Sequence, residues 1–363
     1  MAQIQITVWM NQPSHYQTAF FHELASRSGI DLSVYYATRL TADRRALGWS
    51  DPGAEVFRQT VLTGARRYLV ALRHAWHQRH AVHVINGVWS IPIFALCAAW
   101  LLLLGAPVYF HSERPNPATT RSGGWLLIKR CWTKLLMARA RGIFVIGRAA
   151  GDYYASLGVP RAKLLPFMYF NQSPDATTIR QEQSDSQFTV VYVGQFIARK
   201  RVHDLIEAFS QLRERVPRSR LMLIGSGPLC EAYAARIATL GLSEYASIAG
   251  PLAPGDASRV IQRSSVLVLP SEFDGWGLAV NEALQAGVPA ICTDACGASE
   301  LLRDNPDWGL VYPAGDVDQL GAAMQSVAQN SLRFRPSRDE VEARIGVSAM
   351  TTRFMEMLNT GSR

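Results

Sequence analysis

The stretch VLVLPSEFDGWGLAVNEALQAGVPAICTD, Val266 to Asp294, decides the fold class of this chain. Its first apolar run ends at Pro270, a Gly-Trp-Gly turn follows, and a helix begins near Leu278 and leads into a second apolar run. A strand, a helix and a second strand in this order predict a parallel sheet covered by helices. The turn also carries Asp274 and Glu282, with seven residues between them. Ligands bind where the strands of such sheets end, so these acids either hold a ligand or serve only the helix dipole and the solvent.

Strands and helices alternate along the rest of the chain as well. Its 363 residues exceed what one hydrophobic core usually holds, so two domains are expected. The polar segment Asn171–Gln187 has no aromatic residue and is typical of a linker. We therefore predict an α/β protein with residues 1–172 and 187–335 as domains and 173–186 as the linker. In the first domain the strand candidates are Ile4–Met10, Asp31–Tyr36, Ala81–Ile85, Pro107–His111 and Gly142–Ile146.

Composition limits the class of protein and of partner. With 48% hydrophobic and 18% charged residues the chain is a folded one, and its net charge of +8 permits anionic partners. Arginine supplies nearly all of this charge, so genome composition is the alternative explanation. The five cysteines form no Cys-x-x-Cys pair, which indicates a reduced compartment without a zinc site or disulfide framework. The N-terminal residues are typical of a first strand and not of a signal peptide.

Three segments of the first half raise the question of a membrane. Gly87–Phe110 carries no charge and is long enough to span a bilayer, but Pro92 and the Gly105-Ala106-Pro107 break predict a buried helix followed by a strand. The stretches from Ala65 and from Trp125 mix basic residues with Trp, Leu and Tyr. They fit either the surface of an anionic membrane or basic helices that cover an apolar sheet.

Two further strand ends carry unusual loops. After FTVVYVG, which ends at Gly194, the triplet Arg199-Lys200-Arg201 precedes an amphipathic helix. Cations at a helix N-terminus oppose the helix dipole, so they fit a shared bound phosphate, with a solvated basic turn as the alternative. After LMLIG, the turn Gly225-Ser226-Gly227-Pro228 permits a close backbone approach but lacks the G-x-G-x-x-G spacing of a dinucleotide-binding turn.

Taken in order, these motifs resemble the retaining glycosyltransferases of the GT-B fold, in the large GT4 family of group 1 glycosyl transferases. The resemblance covers about Thr189 to Met324. It rests on Gly-x-x-x-x-x-Lys at Gly194 to Lys200, Gly-x-Gly-Pro at Gly225 to Pro228, the motif from Pro270 to Glu282, the turn Gly297 to Leu301, and the run Gly309 to Met324. It implies two Rossmann-like domains that face each other across a cleft. It also implies that the segment 336–363 is helical and returns to the first domain.

The resemblance also implies how a nucleotide-sugar donor is held. Lys200 would neutralise the donor diphosphate, with Arg199 as a second cation. Many members carry an arginine where this chain has Gln195, so one phosphate contact departs from the family pattern. Backbone N–H groups of Gly277 and Leu278 would bind the phosphates. The remaining predicted donor-binding positions are Gly194, Gly225, Gly227, Gly275 and Trp276.

The sugar and ribose contacts come from acids and a histidine. Asp274 would bind hydroxyls of the transferred sugar, although the family more often has the longer Glu there, and Glu282 would bind the ribose. His111, at the end of the strand PVYFH, would lie next to the donor sugar, with a solvent-facing histidine as the alternative. Together with Lys200 these are the predicted catalytic residues. The predicted acceptor-side residues are Ser14, His15 and Tyr16, of which Ser14 is alternatively an ordinary N-cap.

The expected reaction moves a sugar from a UDP- or GDP-sugar to a polysaccharide, a lipopolysaccharide or a lipid-linked oligosaccharide, with retained configuration. We expect no cofactor and no metal, since His74, His77 and His80 lie on a basic helical stretch that is typical of a solvated surface. We expect a cytoplasmic protein, peripheral on the inner membrane, that binds no nucleic acid. The alternatives are an epimerase or phosphorylase of the same fold, or a non-catalytic partner. A dehydrogenase is disfavoured because the first strand lacks G-x-G-x-x-G.

Overall fold

The computed structural model describes residues 3–45, 56–119, 123–170 and 187–360. The predicted linker 173–186 lies outside these described residues. Two compact units make up the chain. Of the described residues, 3–42, 56–169 and 347–360 belong to the first unit, and 43–45, 170 and 187–346 belong to the second.

A seven-stranded parallel sheet forms the centre of the first unit, in the order β3-β2-β1-β4-β5-β6-β7. Its strands are β1 Ile4–Met10, β2 Ile30–Tyr36, β3 Arg58–Val61, β4 Val82–Asn86, β5 Val108–Glu113, β6 Gly142–Ile146 and β7 Leu164–Phe167. The helices that precede residue 170 are α1 His15–Ser26, α2 Ala42–Arg45, α3 Arg67–His77, α4 Pro92–Leu103, α5 Gly124–Arg139 and α6 Arg148–Ser156.

The charge-free segment 87–110 forms a helix and then a strand, as its Pro and Gly breaks predicted. Proline stands in the first turn of α4, where its missing N–H costs nothing, and the chain turns at Gly105 before β5. One side of α4 is buried in the core through Phe94, Cys97, Ala98 and Leu101. None of the helices in the described ranges has the length and apolarity that a membrane span requires.

A six-stranded parallel sheet forms the second unit, in the order β10-β9-β8-β11-β12-β13. The strands are β8 Phe188–Val193, β9 Ser219–Ile224, β10 Ala246–Gly250, β11 Val266–Leu269, β12 Ala290–Thr293 and β13 Gly309–Tyr312. The helices are α7 Val202–Arg215, α8 Cys230–Thr239, α9 Pro254–Gln262, α10 Leu278–Gln285, α11 Ser299–Asp304, α12 Val317–Gln329 and α13 Arg338–Ile345. These two sheets confirm the predicted pair of Rossmann-like domains.

The last helix, α14 Val347–Thr360, belongs to the first unit and packs against α1. Phe354 is buried there, and its ring centroid lies 5.2 Å from that of Phe20 and 5.0 Å from that of Phe144. The hydroxyl of Tyr109 donates to the carbonyl of Leu358 at 3.3 Å. The chain therefore returns to the first unit, as predicted, through aromatic packing on one face of the first sheet.

The return begins later than predicted. Residues 336–346 were expected to leave the second domain, but α13 packs on α10 within the second unit. The guanidinium of Arg338 donates twice to the carbonyl of Ala286, at 3.2 and 2.9 Å, and so satisfies the end of α10. This contact between distant residues fixes the boundary near Gly346, and local sequence gave no sign of it.

Candidate functional site

The sheet order of the second unit brings the predicted donor-binding loops to one edge. The chain leaves β8 toward β9 on one side and returns to β11 on the other, so the sheet reverses its winding between β8 and β11. Parallel α/β sheets bind ligands at this reversal, beyond the carboxyl ends of the strands. The loops of Lys200, Gly225 and Asp274 follow β8, β9 and β11, and they therefore lie side by side.

Lys200 and Asp274 are in direct contact. The ammonium Nζ of Lys200 donates to the carboxylate Oδ2 of Asp274, and the two side chains are only 12% and 18% exposed. A charge-assisted hydrogen bond in such a poorly hydrated place is stronger than a surface ion pair. Two residues predicted separately, 74 positions apart in the chain, thus form one unit of the site.

Arg199 ties the same two loops together. Its Nη1 donates to the carbonyl of Phe273, and the backbone N–H of Glu272 donates to the carbonyl of Arg199 at 2.9 Å. These two hydrogen bonds hold the loop after β8 against the loop after β11, one residue away from the Lys200–Asp274 contact. In this structure the Arg199 guanidinium therefore positions a backbone carbonyl, and its predicted contact with phosphate stays a prediction.

Arg201 turns the chain sharply after Lys200. It lies in the left-handed region, with φ 48° and ψ 37°, and no other non-glycine residue in the described ranges has a positive φ. Its Nε donates to Oδ2 of Asp204 at 2.5 Å, and this hydrogen bond raises the pKa of Arg201. Asp204 is buried in the first turn of α7. Asp204 was not among the predicted site residues, although an acid in the first turn of a helix after three cations is a signal for it.

The glycine turn before α10 has no room for a side chain. Gly277 has φ 97°, and a Cβ there would lie 2.6 Å from Sγ of Cys296 and 2.7 Å from Cδ2 of Leu269. The helix begins at the next residue, Leu278, so its first N–H groups, which have no partner within the helix, follow directly on Gly277. Asp274 supports the turn, because its Oδ1 accepts from the backbone N–H of Trp276 at 3.3 Å.

Trp276 is a core residue and not an exposed stacking surface. Its side chain is buried, and its indole Nε1–H donates to Oδ1 of Asn281 at 2.8 Å. The thiol of Cys296 donates to the Trp276 carbonyl at 2.9 Å. The Trp276 side chain is therefore not available for the predicted donor contacts, and its backbone N–H and carbonyl are already bonded to Asp274 and Cys296. Gly275 can contribute only its backbone. Asn281 and Cys296 were missed, although a polar Asn inside an apolar helix is a recognisable signal.

The glycines after β8 and β9 bring two loops together, backbone against backbone. A Cβ at Gly225 would lie 1.8 Å from the carbonyl oxygen of Gly194, and one at Gly227 would lie 2.5 Å from that of Phe196. Phe196 donates its backbone N–H to Ser226 at 2.8 Å. The close backbone approach that these glycines predicted is thus made, in this structure, to a neighbouring loop.

Glu282 lies one helical turn after Leu278 on α10 and is half-buried. The i, i+4 spacing puts it on the same side of the helix as the first-turn residue. Gln195, which replaces an arginine of the family pattern, has its carbonyl held by the Tyr192 hydroxyl at 2.9 Å. Its position in the loop is therefore fixed through its backbone.

Two buried histidines lie in the first unit. His111 is on β5 and only 8% exposed, which rules out the solvent-facing alternative. Its Nδ1 lies 2.8 Å from the amide nitrogen of Asn86, which can only donate, so the ring hydrogen is on Nε2. His83 accepts from the indole of Trp9 at 3.1 Å and donates to the carbonyl of Gln78 at 2.9 Å. Burial lowers the pKa of both rings to about 4, so both are neutral at neutral pH.

The predicted acceptor-side residues open α1 in the first unit. Ser14 is the N-cap residue, with extended backbone, and its carbonyl accepts from the N–H groups of Gln17 and Thr18. Tyr16 is half-buried in the first turn. His15 is the first residue of α1, but its side chain lies outside what the structure describes. Across the described ranges, no three side chains of the metal-ligating types converge on one point, the His74 region included.

Comparison with known proteins agrees with the motifs of the second unit. Residues 175–344 match the family model described as glycosyl transferases group 1. The match includes the motifs from Gly194 to Met324. A putative glycosyltransferase of Bacillus subtilis, EpsD, is 33% identical over 132 residues, which are 36% of this chain and 34% of EpsD. An exopolysaccharide phosphotransferase of Streptomyces coelicolor is 32% identical over 184 residues, 50% of this chain and 19% of that protein. The matches thus span about a third and a fifth of these relatives.

The likeness in fold to a solved structure extends beyond residues 175–344. The structure of HepE from Anabaena, solved in complex with UDP, superposes with a TM-score of 0.74 and covers 98% of this chain and all of HepE. Sequence identity is 14%, so this comparison concerns the fold alone. Both parallel-sheet units of the chain therefore have counterparts in one solved protein.

Gly277→Ala tests the close packing of the glycine turn before α10. We expect the free energy of unfolding to fall by about 2 kcal/mol or more, because alanine would be strained at this φ and its Cβ would overlap Cys296 and Leu269. Thermal unfolding measures the change. The matched control is Gly255→Ala in α9, where an added Cβ meets no atom within 4 Å and φ is ordinary. Equal melting temperatures for the two variants would contradict the packing described here.

The pH dependence of stability tests the neutral histidines. The unfolded chain takes up protons near the ordinary pKa of 6.5, whereas folded His111 and His83 do so only near 4. Stability is therefore fully present above pH 6.5 and is lost as the pH falls toward 4, by up to about 1.4 kcal/mol per pH unit for each ring. The free energy of unfolding, measured in urea at several pH values, should depend less steeply on pH in His111→Gln. The double variant with His83→Gln should reduce this pH dependence by a second, similar amount. An unchanged slope in both would show that neither ring is held neutral.

Proposed function

We propose that this protein is a glycosyltransferase that moves a sugar from a UDP- or GDP-sugar to a polysaccharide, lipopolysaccharide or lipid-linked oligosaccharide, with retained anomeric configuration. The observation that carries the proposal is the contact between Lys200 and Asp274 beside the N-terminus of α10. It places a cation and a carboxylate next to the N-terminal N–H groups of a helix, at the loop edge of a Rossmann-like sheet. These are the groups that a donor with a diphosphate and a sugar requires.

The positive groups of this site suit the leaving group of the reaction. As the bond between the anomeric carbon and the phosphate oxygen breaks, negative charge grows on the diphosphate. The ammonium of Lys200 and the N-terminus of α10 stabilise that charge, and they are already in place before the reaction begins. The acceptor hydroxyl attacks from the face that the phosphate leaves and passes its proton to a phosphate oxygen, so the protein needs no strong base.

Asp274 links the two ends of the donor in this proposal. One carboxylate oxygen holds Lys200 and the other holds the Trp276 N–H, which leaves lone pairs directed at sugar hydroxyls. Its shorter side chain, compared with the commoner Glu, is fixed by both contacts. Glu282 binds the donor ribose. His111, whose neutral ring has a hydrogen on Nε2, donates to the transferred sugar.

We further propose that the transferred group is a hexose, that no metal ion is required, and that the protein is peripheral on the cytoplasmic face of the inner membrane. Lys200 and the α10 N-terminus supply the positive charge that a metal supplies in other glycosyltransferases. A UDP-sugar donor has support from HepE, which was solved with UDP. A glycan acceptor has support from the exopolysaccharide protein among the relatives.

Donor binding tests the site directly. At about 100 times its Kd, the correct nucleotide sugar should stabilise the protein by about 2.7 kcal/mol in a thermal-shift screen of UDP- and GDP-sugars. Lys200→Ala should weaken binding roughly 10- to 100-fold, because a charge-assisted contact with the diphosphate is lost. Glu282→Gln, which leaves the Lys200–Asp274 contact in place, should weaken it as well. Lys129→Ala, a lysine of the first unit, is the control. A donor that binds all four proteins equally would contradict the site.

The product tests the reaction itself. We expect the new glycosidic bond to have the same anomeric configuration as the donor in proton NMR spectra, with an unchanged rate in EDTA, because the leaving group is stabilised by Lys200 and a helix. An inverted product would contradict the proposed mechanism. An epimer or a sugar phosphate formed without acceptor would indicate the epimerase or phosphorylase alternatives. Donor binding without turnover of any acceptor would indicate the non-catalytic one.

A further inference from the structure

Helix α4 exposes apolar side chains that the first unit leaves uncovered. The helix carries no polar or charged residue, yet only one side of it faces the core. On the other side Leu96, Trp100 and Leu103 follow one another at i, i+4 and i+7, and Leu103 is 68% exposed. A helix that is apolar all round is normally buried all round. The exposed stripe therefore indicates a surface that meets something other than water.

The exposed stripe continues onto both neighbouring helices. α4 packs against α3 and α5, and the ring of Trp76 on α3 lies 6.2 Å from that of Trp100. On α5, Leu127 and Leu135 are exposed at i and i+8, Leu127 to 64%. We call this surface the α3–α5 face and define its apolar part as Trp76, Leu96, Trp100, Leu103, Leu127 and Leu135.

The charge of these three helices has one sign. They contain Arg67, Arg73, Lys129, Arg130, Lys134 and Arg139 and not one acidic residue. Residues 56–151, which include all three helices, carry 13 Lys or Arg against one Asp or Glu, whereas the rest of the chain carries 24 against 28. Arginine occurs over the whole chain, as a bias of genome composition would produce, but acidic residues are nearly absent from this segment. The net positive charge is therefore concentrated where the apolar face lies.

A bilayer with anionic lipids fits both properties of the α3–α5 face at once. Leucines reach the boundary of the acyl chains, tryptophans favour the level of the headgroups, and Lys and Arg pair with lipid phosphates. A second copy of the same face would bring two positive surfaces together, and a nucleic acid would leave the leucines in water. Arg79 already lies over the ring of Trp76, at 4.8 Å from its centroid, as a cation beside an interfacial aromatic residue does.

We infer that the α3–α5 face of the first unit docks on the surface of an anionic lipid bilayer, with Leu96 and Leu103 inserted below the headgroups and Trp100 at their level. The inference specifies the surface behind the proposed peripheral location. It does not depend on the donor site, which belongs to the other unit, so vesicle binding and donor binding succeed or fail separately. A lipid-linked acceptor would then be reached at the membrane where it resides.

Vesicle flotation tests the apolar part of the face. The full chain should float with vesicles that contain phosphatidylcholine and phosphatidylglycerol and much less with phosphatidylcholine alone, and salt should weaken the binding. Leu103→Glu should reduce binding about tenfold or more, because a carboxylate replaces an inserted leucine among anionic lipids. The matched control is Leu332→Glu, at a leucine of the second unit that is 79% exposed, and this variant should bind like the unchanged protein.

A pair of charge reversals tests the electrostatic part. Arg130→Glu with Lys134→Glu should weaken binding by more than about fivefold per residue, the factor that corresponds to roughly 1 kcal/mol for each basic residue near the surface. Arg218→Glu with Arg220→Glu makes the same change in net charge on the exposed surface of the second unit and should have little effect. All four variants should keep the melting temperature of the unchanged protein, which shows that they are folded.

Three results would overturn the inference. The first is equal flotation with neutral and anionic vesicles, or flotation with neither. The second is a loss of binding in the Leu332 or Arg218 and Arg220 controls as large as in the face variants, which would mean that net charge alone matters. The third is a face variant that changes the oligomeric state in light scattering but not the vesicle binding. The face would then be an interface between copies of the chain.

Discussion

The contact between Lys200 and Asp274 is the constraint on which the candidate site depends. It joins the loops that follow β8 and β11, the two strands between which the second sheet reverses its winding. Arg199 repeats the connection through two backbone partners, so the two loops are fixed relative to each other. An ion pair this poorly exposed costs desolvation, which its mutual attraction and the Trp276 N–H on the second oxygen of Asp274 offset. The same pair gives the edge of the sheet a cation and a carboxylate at a fixed spacing.

Close packing behind this contact explains why small residues and buried polar groups recur there. Gly277 lets the chain pass Cys296 and Leu269 and start α10 at once, so the positive end of the helix lies at the loop edge. Trp276 fills the space beneath the turn and is held by Asn281. A preorganised site of this kind needs no rearrangement when charge develops on a ligand. Its rigidity comes from the core of the second unit and not from the ligand.

The two units differ in what they expose. In the second unit the charged site residues lie at the loop edge of the sheet. In the first unit helices α3, α4 and α5 expose side chains that are basic or apolar. Its buried histidines, His83 and His111, are neutral at neutral pH, so they add nothing to the positive charge that Lys and Arg supply. The proposed division into a unit that binds the nucleotide sugar and a unit that binds the acceptor at a lipid surface is consistent with this difference. The two units differ more in the chemistry of their exposed side chains than in their fold.

The sequence by itself determined the strand–helix alternation, the two sheets and the separate motifs around Lys200, Gly225 and Asp274, because apolar periodicity and glycine turns are local signals. It did not reveal the edge strands β3 and β7, because β3 is largely polar and β7 carries a proline, so neither is a continuous apolar run. Only the tertiary structure decided that Lys200 touches Asp274, that Arg199 holds a backbone carbonyl, that the Trp276 side chain is core, and that one side of α4 stays uncovered. Each of these depends on contacts between residues far apart in the chain, or on what packs over a surface, and neither is written in local spacing.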